Sequence, residues 1–144
     1  AIKLESISLP LCEEIRDVAF FMASALSDVY IPKCKKLYQE AFWSCWNLKE
    51  IYLPECSSLS CGVFAFCSSL ESVYLTNSSV CLLDHPSYYH DSFYRHEAFA
   101  NTPITDSSFL GYYGSIFVPS EMVNTYKMNS MWSMYSDRIT SYVS

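Results

Sequence analysis

The sequence predicts a right-handed solenoid with a parallel β-sheet on one side, irregular coil on the other and a short C-terminal helical cap. Two observations carry this prediction. First, four ladders of residues recur every 22 positions: Leu4, Leu26, Leu48 and Leu70; Ile7, Val29, Ile51 and Val73; Pro10, Pro32 and Pro54; Phe20, Phe42 and Phe64. A fixed period of about 20 to 50 residues marks stacked repeats. Second, one such unit cannot bury its own apolar face, whereas stacked units share a continuous core. The hand follows from the preference of parallel strands for right-handed crossovers. The 144 residues read as one domain over 1–144, with repeats 4–25, 26–47, 48–69 and 70–103, an inserted loop 84–97, and a final strand and cap over 115–144.

Each unit opens with a strand. In Val29-Tyr30-Ile31 the outer two residues point inward and Tyr30 outward, by two-residue alternation. The proline that follows has no N–H to donate and ends the ladder. A second inward position comes at Ile15, Leu37 and Leu59, then Ala19-Phe20, Ala41-Phe42 or Val63-Phe64. In the fourth unit Leu70–Leu75 is the strand and Val80-Cys81-Leu82 the second inward segment. There Asp84–His96 delays Ala98-Phe99; it lacks helical or strand periodicity and reads as a protruding loop. Ile116–Pro119 restores the strand as a fifth rung. Ser120 is a candidate helix N-cap, Glu121 suits the first turn, and Met122, Val123 and Tyr126 lie at helical spacing. A second short helix is expected over Met131–Asp137, with Trp132, Tyr135 and Ile139 packing the cap.

The unit Leu-x-x-Ile-x-Leu-Pro-x-Cys-x-x-Ile-x-x-x-Ala-Phe-x-x-Cys-x-x resembles the BspA-like, or treponemal-type, leucine-rich repeat of surface proteins. Three full units and a fourth partial one carry it. The first unit departs in having Ala23 where Cys45 and Cys67 stand. The tail is also similar to the C-terminal repeats and cap of such proteins: Thr102-Pro103-Ile104, Gly111–Pro119, Tyr126-Lys127 and Trp132–Ile139. The resemblance implies a leucine-rich repeat solenoid used in adhesion to host or microbial surfaces, or in receptor binding at a phage tail. It implies an extracellular, cell-surface or virion location. No targeting signal is present, and no polar cap precedes Leu4, so the chain reads as a piece of a longer protein.

Composition narrows the classes further. A formal charge of −6 with nine Lys and Arg argues against nucleic acid, whose phosphates need clustered cations. No apolar run of about 18 residues suits membrane insertion. Three glycines leave no glycine-rich nucleotide loop. Among the seven cysteines, Cys12, Cys34 and Cys56 share one rung, and Cys45 and Cys67 another. Side chains stacked in parallel at roughly 4.8 Å do not turn toward each other as a disulfide requires, so these read as small buried thiols. Cys61 aligns with the polar Gln39 and Asp17 and reads as an exposed thiol. No CxxC pair suggests zinc. His85, His90 and His96 share the loop with Asp84 and Asp91, but at irregular intervals, and no catalytic set, metal site or cofactor motif emerges.

The outward positions hold the binding candidates. Tyr30, Tyr52 and Tyr74 form a column with Phe117, beside Asp28, Glu50 and Ser72. Such a column is either ordinary cross-strand packing or a recognition stripe. After each Ala-Phe or Val-Phe pair the coil carries Phe21, Met22 and Ser24, then Trp43, Ser44 and Trp46, then Ala65, Phe66 and Ser68. Coil positions without a packing duty are polar as a rule, so Phe21, Trp43, Trp46 and Phe66 suggest a contact strip. Tyr88, Tyr89, Phe93 and Tyr94 in the loop mix aromatics with adaptable polar residues, as paratopes do. The expectation is a non-catalytic module that binds a surface protein or glycan receptor, in the manner of a diversified binder. The alternative is a structural or self-assembling segment that supports an upstream domain, and the third an enzyme or metal protein using the histidine loop.

Overall fold

A computed structural model describes residues 3–105 and 113–142 of the chain. Gly111 and Tyr112 of the tail motif lie outside the described residues. Each of the first three units lays down two strands. The first of each is β1 (Ser6–Ser8), β3 (Asp28–Tyr30) and β5 (Glu50–Tyr52); the second is β2 (Glu14–Ile15), β4 (Lys36–Leu37) and β6 (Ser58–Leu59). The fourth unit gives β7 (Ser72–Tyr74) and β8 (Leu82–Leu83). The tail adds β9 (Ser115–Pro119), the helix α1 (Val123–Met128) and β10 (Ile139–Tyr142). All pairings are parallel, and Ile7 with Val29, Ile51 with Val73, and Val73 with Ile116 stand in register. Parallel strands in sheets with a short helix make this a repeat fold. Leu26, Leu48 and Leu70 are all fully buried in one core cluster. Phe20, Phe42, Phe64 and Phe99 stack at centroid distances of 5.4, 5.7 and 5.7 Å. Each such pair adds about 1 kcal/mol beyond its area of burial.

The region expected to be irregular coil contains a second parallel sheet instead, ordered β2-β4-β6-β8. Its strands are two residues long, too short for alternation to show in sequence. Once Ile15, Leu37 and Leu59 are stacked inward, their backbone groups need partners, and the neighbouring unit supplies them. In the fourth unit Cys81 of the expected inward segment is buried, but Leu82 is exposed and the inward residue of the strand is Leu83, which corrects the reading at Leu82. An Asn77 turn shifts the register: its side chain accepts from the Ser79 N–H and donates to the Cys56 carbonyl.

Cys61 is buried, not exposed, because residues 84–97 fold over it. The Asp84 N–H donates to the Leu59 carbonyl at 3.0 Å, and Arg95 Nη1 donates to Gln39 Oε1 at 2.9 Å. All seven cysteines are free; six are buried and Cys12 is half-buried. Burial pushes the Cys34 thiol up to about 12 and raises that of Cys61. The thiolate is the nucleophile. We therefore expect a thiol reagent at neutral pH to label only Cys12 quickly in the native protein, and the other six after unfolding. Mass spectrometry of the labelled peptides checks this; rapid native labelling of Cys61 or Cys34 would contradict it.

The tail closes the core more thoroughly than predicted. Ser120 does not cap a helix N-terminus: it begins a single 3-10 turn, Ser120–Met122, whose N-cap is Pro119, and α1 follows directly. The second predicted helix is a 3-10 segment, Ser133–Arg138. Ile139, expected only to pack the cap, starts β10, which pairs with β9. The Tyr126 hydroxyl accepts from the Cys81 N–H at 2.8 Å, and the Trp132 indole N–H donates to the Cys81 carbonyl at 2.7 Å. Both side chains are fully buried.

Candidate binding surface

The sequence candidates fall into two regions. The first is the column on the strand face. Tyr52 and Tyr74 stack at 4.3 Å and 7°, and Tyr74 and Phe117 at 4.7 Å and 13°. Tyr142, from the unforeseen β10, meets the Tyr74 ring edge-on at 5.5 Å. Stacked in this way the rings turn their faces to one another and offer edges and hydroxyls outward. Desolvation, then the Glu50 carboxylate, raises the Tyr52 phenol above its ordinary value, so the hydroxyl stays protonated and can donate. Tyr30 stands apart, exposed and without a ring contact to Tyr52 among the described residues.

The second region joins the strip to the inserted loop. Phe21 stacks on Trp43 at 5.9 Å and Trp43 tilts against Phe66 at 4.8 Å. His96 of the loop caps both, at 4.8 Å from Trp43 and 5.8 Å from Phe66. Its Nδ1 is buried without a hydrogen-bond partner among the described residues. Trp43 and Phe66 are consequently half-buried, and Ser44 and Ala65 are buried, so the strip is narrower than the sequence suggests. Phe21 remains exposed at its margin. Trp46 stays 51% exposed and makes no ring contact among the described residues.

The loop is anchored rather than wholly protruding. It contains two 3-10 turns, Pro86–Tyr88 and Ser92–Tyr94. Tyr89 donates to Asp84 at 2.9 Å, and Arg95 lies 3.9 Å over its ring while donating to Asp91 at 2.6 Å. This holds Tyr89 half-buried and leaves three aromatics outside: Tyr88, Phe93 at 90% exposure and Tyr94 at 76%. The Arg95 hydrogen bond holds the Asp91 carboxyl below its usual range. A folded-state value below the unfolded one contributes order that is present above the unfolded value and lost as pH falls through the folded one. Arg95 should therefore keep its bond to Asp91 through mild acid and release it only below the usual carboxylate range. The Arg95 Nε–H NMR signal follows this directly; release near neutral pH would refute it.

Sequence reading missed one recurrent constraint. Val18, Glu40 and Gly62 have φ of 53°, 55° and 67°, and Met22, Ser44, Phe66 and Asn101 have φ of 60°, 58°, 63° and 57°. Each unit thus carries left-handed positions, which cost a side chain with a Cβ roughly 1–2 kcal/mol. Gly62 and Asn101, which tolerate that region, were the available signal. Met22 and Phe66 sit there despite the cost, in the strip itself.

Among the described residues no three His, Cys, Asp or Glu side chains are grouped to hold a metal, and no helix is long and apolar enough to cross a membrane. His85 bonds Ser87 and lies 3.5 Å from Glu97, His90 is exposed, and His96 is enclosed by aromatics. The three do not converge. The family model described as the BspA type leucine rich repeat region (6 copies) matches residues 1–116. No curated protein matches the chain.

Proposed function

The chain belongs to the BspA-type leucine-rich repeat family, and we propose that it is a non-catalytic recognition module, carried on a cell surface or virion, that binds a protein or glycan receptor. The repeat units act as the turns of a right-handed solenoid, a rigid frame for variable outer residues. The observation that carries this reading is the set of large aromatics held outward by a packed frame: Trp46, Tyr88, Phe93 and Tyr94 at one region, and the Tyr52–Tyr74–Phe117 column at the other. Exposed aromatics on rigid supports are the favoured anchors of interfaces. Tyr74, stacked between Tyr52 and Phe117, presents only its edge, which favours a protein partner over a sugar that stacks on ring faces there. Diversification of the outer residues and a phage-tail role extend the same proposal.

An array of glycans and surface proteins probed with the intact chain tests it. Saturable capture of one class is expected; no capture on any spot would count against recognition. The alternative, a self-assembling support segment, is favoured by the same exposed apolar surface. Sedimentation across a wide concentration range separates the two, because a monomer at all concentrations excludes self-assembly.

A further inference from the structure

The strand-face sheet is interrupted once, between β3 and β5, where the chain divides into the pair β1-β3 and the sheet β10-β9-β7-β5. Elsewhere an equivalent backbone bond joins each pair of units: Leu9 N–H to the Tyr30 carbonyl, Leu53 N–H to Tyr74 and Leu75 N–H to Phe117, at 2.8–2.9 Å. The corresponding bond from Ile31 N–H to the Tyr52 carbonyl is not made. The same two units remain joined on their other sides, through Ser57 N–H to Lys35, Ser60 N–H to Leu37 and Phe42 N–H to Val63. The opening is therefore local. It falls where Asp28 and Glu50 occupy equivalent positions on adjacent strands, and like charges directly opposite destabilise pairing. Neither carboxylate has an ion-pair partner among the described residues.

The opening creates a cavity of about 220 Å³ lined by Val29, Tyr30, Ile31, Pro32, Tyr52 and Pro54. It also accounts for the missing ring stack, since Tyr30 and Tyr52 form its two walls. We propose that this slot takes one aromatic side chain from a basic segment of a protein partner, an assignment that rests on the recognition reading above. The inserted ring would complete the interrupted column between Tyr30 and Tyr52. An Arg or Lys beside it would meet Asp28 and Glu50, which have no ion-pair partner of their own among the described residues. The opening is too small for an added strand. Its lining is mostly apolar side chain, and the two carboxylates beside it favour a cationic segment over a neutral sugar.

Isotope-labelled full chain is titrated by NMR with acetyl-Arg-Phe-Arg-amide, acetyl-Glu-Phe-Glu-amide, acetyl-Arg-Ala-Arg-amide and glucose. The first should give saturable shifts at Tyr30, Ile31 and Tyr52. The acidic peptide should bind at least about fivefold more weakly, and the alanine peptide and glucose should leave these signals unmoved. Asp28→Asn with Glu50→Gln should weaken binding about fivefold. Tyr52→Ala, or Tyr30→Ala if the former fails to fold, should weaken it on the order of tenfold or more. Equal binding of both charged peptides, or glucose shifts at Tyr52, overturns the proposal. So does a free protein in which the Tyr30 and Tyr52 rings contact each other. Shifts confined to Trp46, Tyr88 and Phe93 remove the slot but leave the recognition reading intact. Slot binding with no receptor on any array leaves the slot and removes that reading.

Discussion

Trp132→Ala should lower stability by about 4 kcal/mol, the cost of emptying a site filled by a buried indole. For a chain of this length that is a fall in Tm of about 12 °C. Trp132 is fully buried, with Tyr126 at 5.4 Å, Phe99 at 6.1 Å and Tyr135 at 6.1 Å around it. Its indole N–H is bonded to the Cys81 carbonyl. Removing the ring opens a cavity at the end of the phenylalanine ladder and strips that buried carbonyl of its donor. Trp132→Phe separates the two contributions: it keeps most of the packing and loses the bond, at about 1–3 kcal/mol. Chemical unfolding followed by circular dichroism measures both. Losses under about 1 kcal/mol for the alanine variant would mean the tail does not close the core.

Trp46→Ala combined with Phe93→Ala should have the opposite character. Each anchor is worth about 2 kcal/mol at an interface, so the pair should weaken receptor binding on the order of a thousandfold. Stability should stay within about 0.5 kcal/mol, as for surface substitutions that break no packing. Trp46 makes no ring contact, and the only ring in contact with Phe93 is Tyr94, among the described residues. Trp43→Ala is the informative contrast. It removes contacts to Phe21, Phe66 and His96 together and should cost stability as well as binding. Surface plasmon resonance on the receptor returned by the array, paired with thermal unfolding, reads both quantities. Binding unchanged in the double variant would show that these aromatics are idle.

The two tryptophans show how far the sequence could be read. Period and apolar identity located the core ladders of Leu26, Leu48 and Phe42, because burial in a repeat is a local pattern copied 22 residues on. Trp43 and Trp46 look alike in that pattern. Ring contacts to Phe21 and Phe66 of the neighbouring units and the return of the inserted loop, which lays His96 on Trp43 and leaves Trp46 bare, separate them, and an insertion has no period to read. The same holds for Cys61, buried by that loop, and for Leu83, brought inward by the Asn77 turn. The second sheet was hidden because two-residue strands are shorter than the alternation that reveals a strand. The break between β3 and β5 was present as Asp28 and Glu50 at equivalent positions, but a backbone gap is visible only when the neighbouring bonds can be compared. The left-handed positions were signalled by Gly62 and Asn101 and obscured by Val18, Met22 and Phe66 at their equivalents.

Hydrogen–deuterium exchange of the chain alone and in complex with its receptor tests the central claim most directly. The account predicts added protection in residues 84–96, in the Trp43–Trp46 segment and along the strand face from Tyr30 to Tyr74, with the core ladders unchanged. Protection confined to the charged outer face of β2 and β4, around Glu13, Glu14, Lys35 and Lys36, would contradict it.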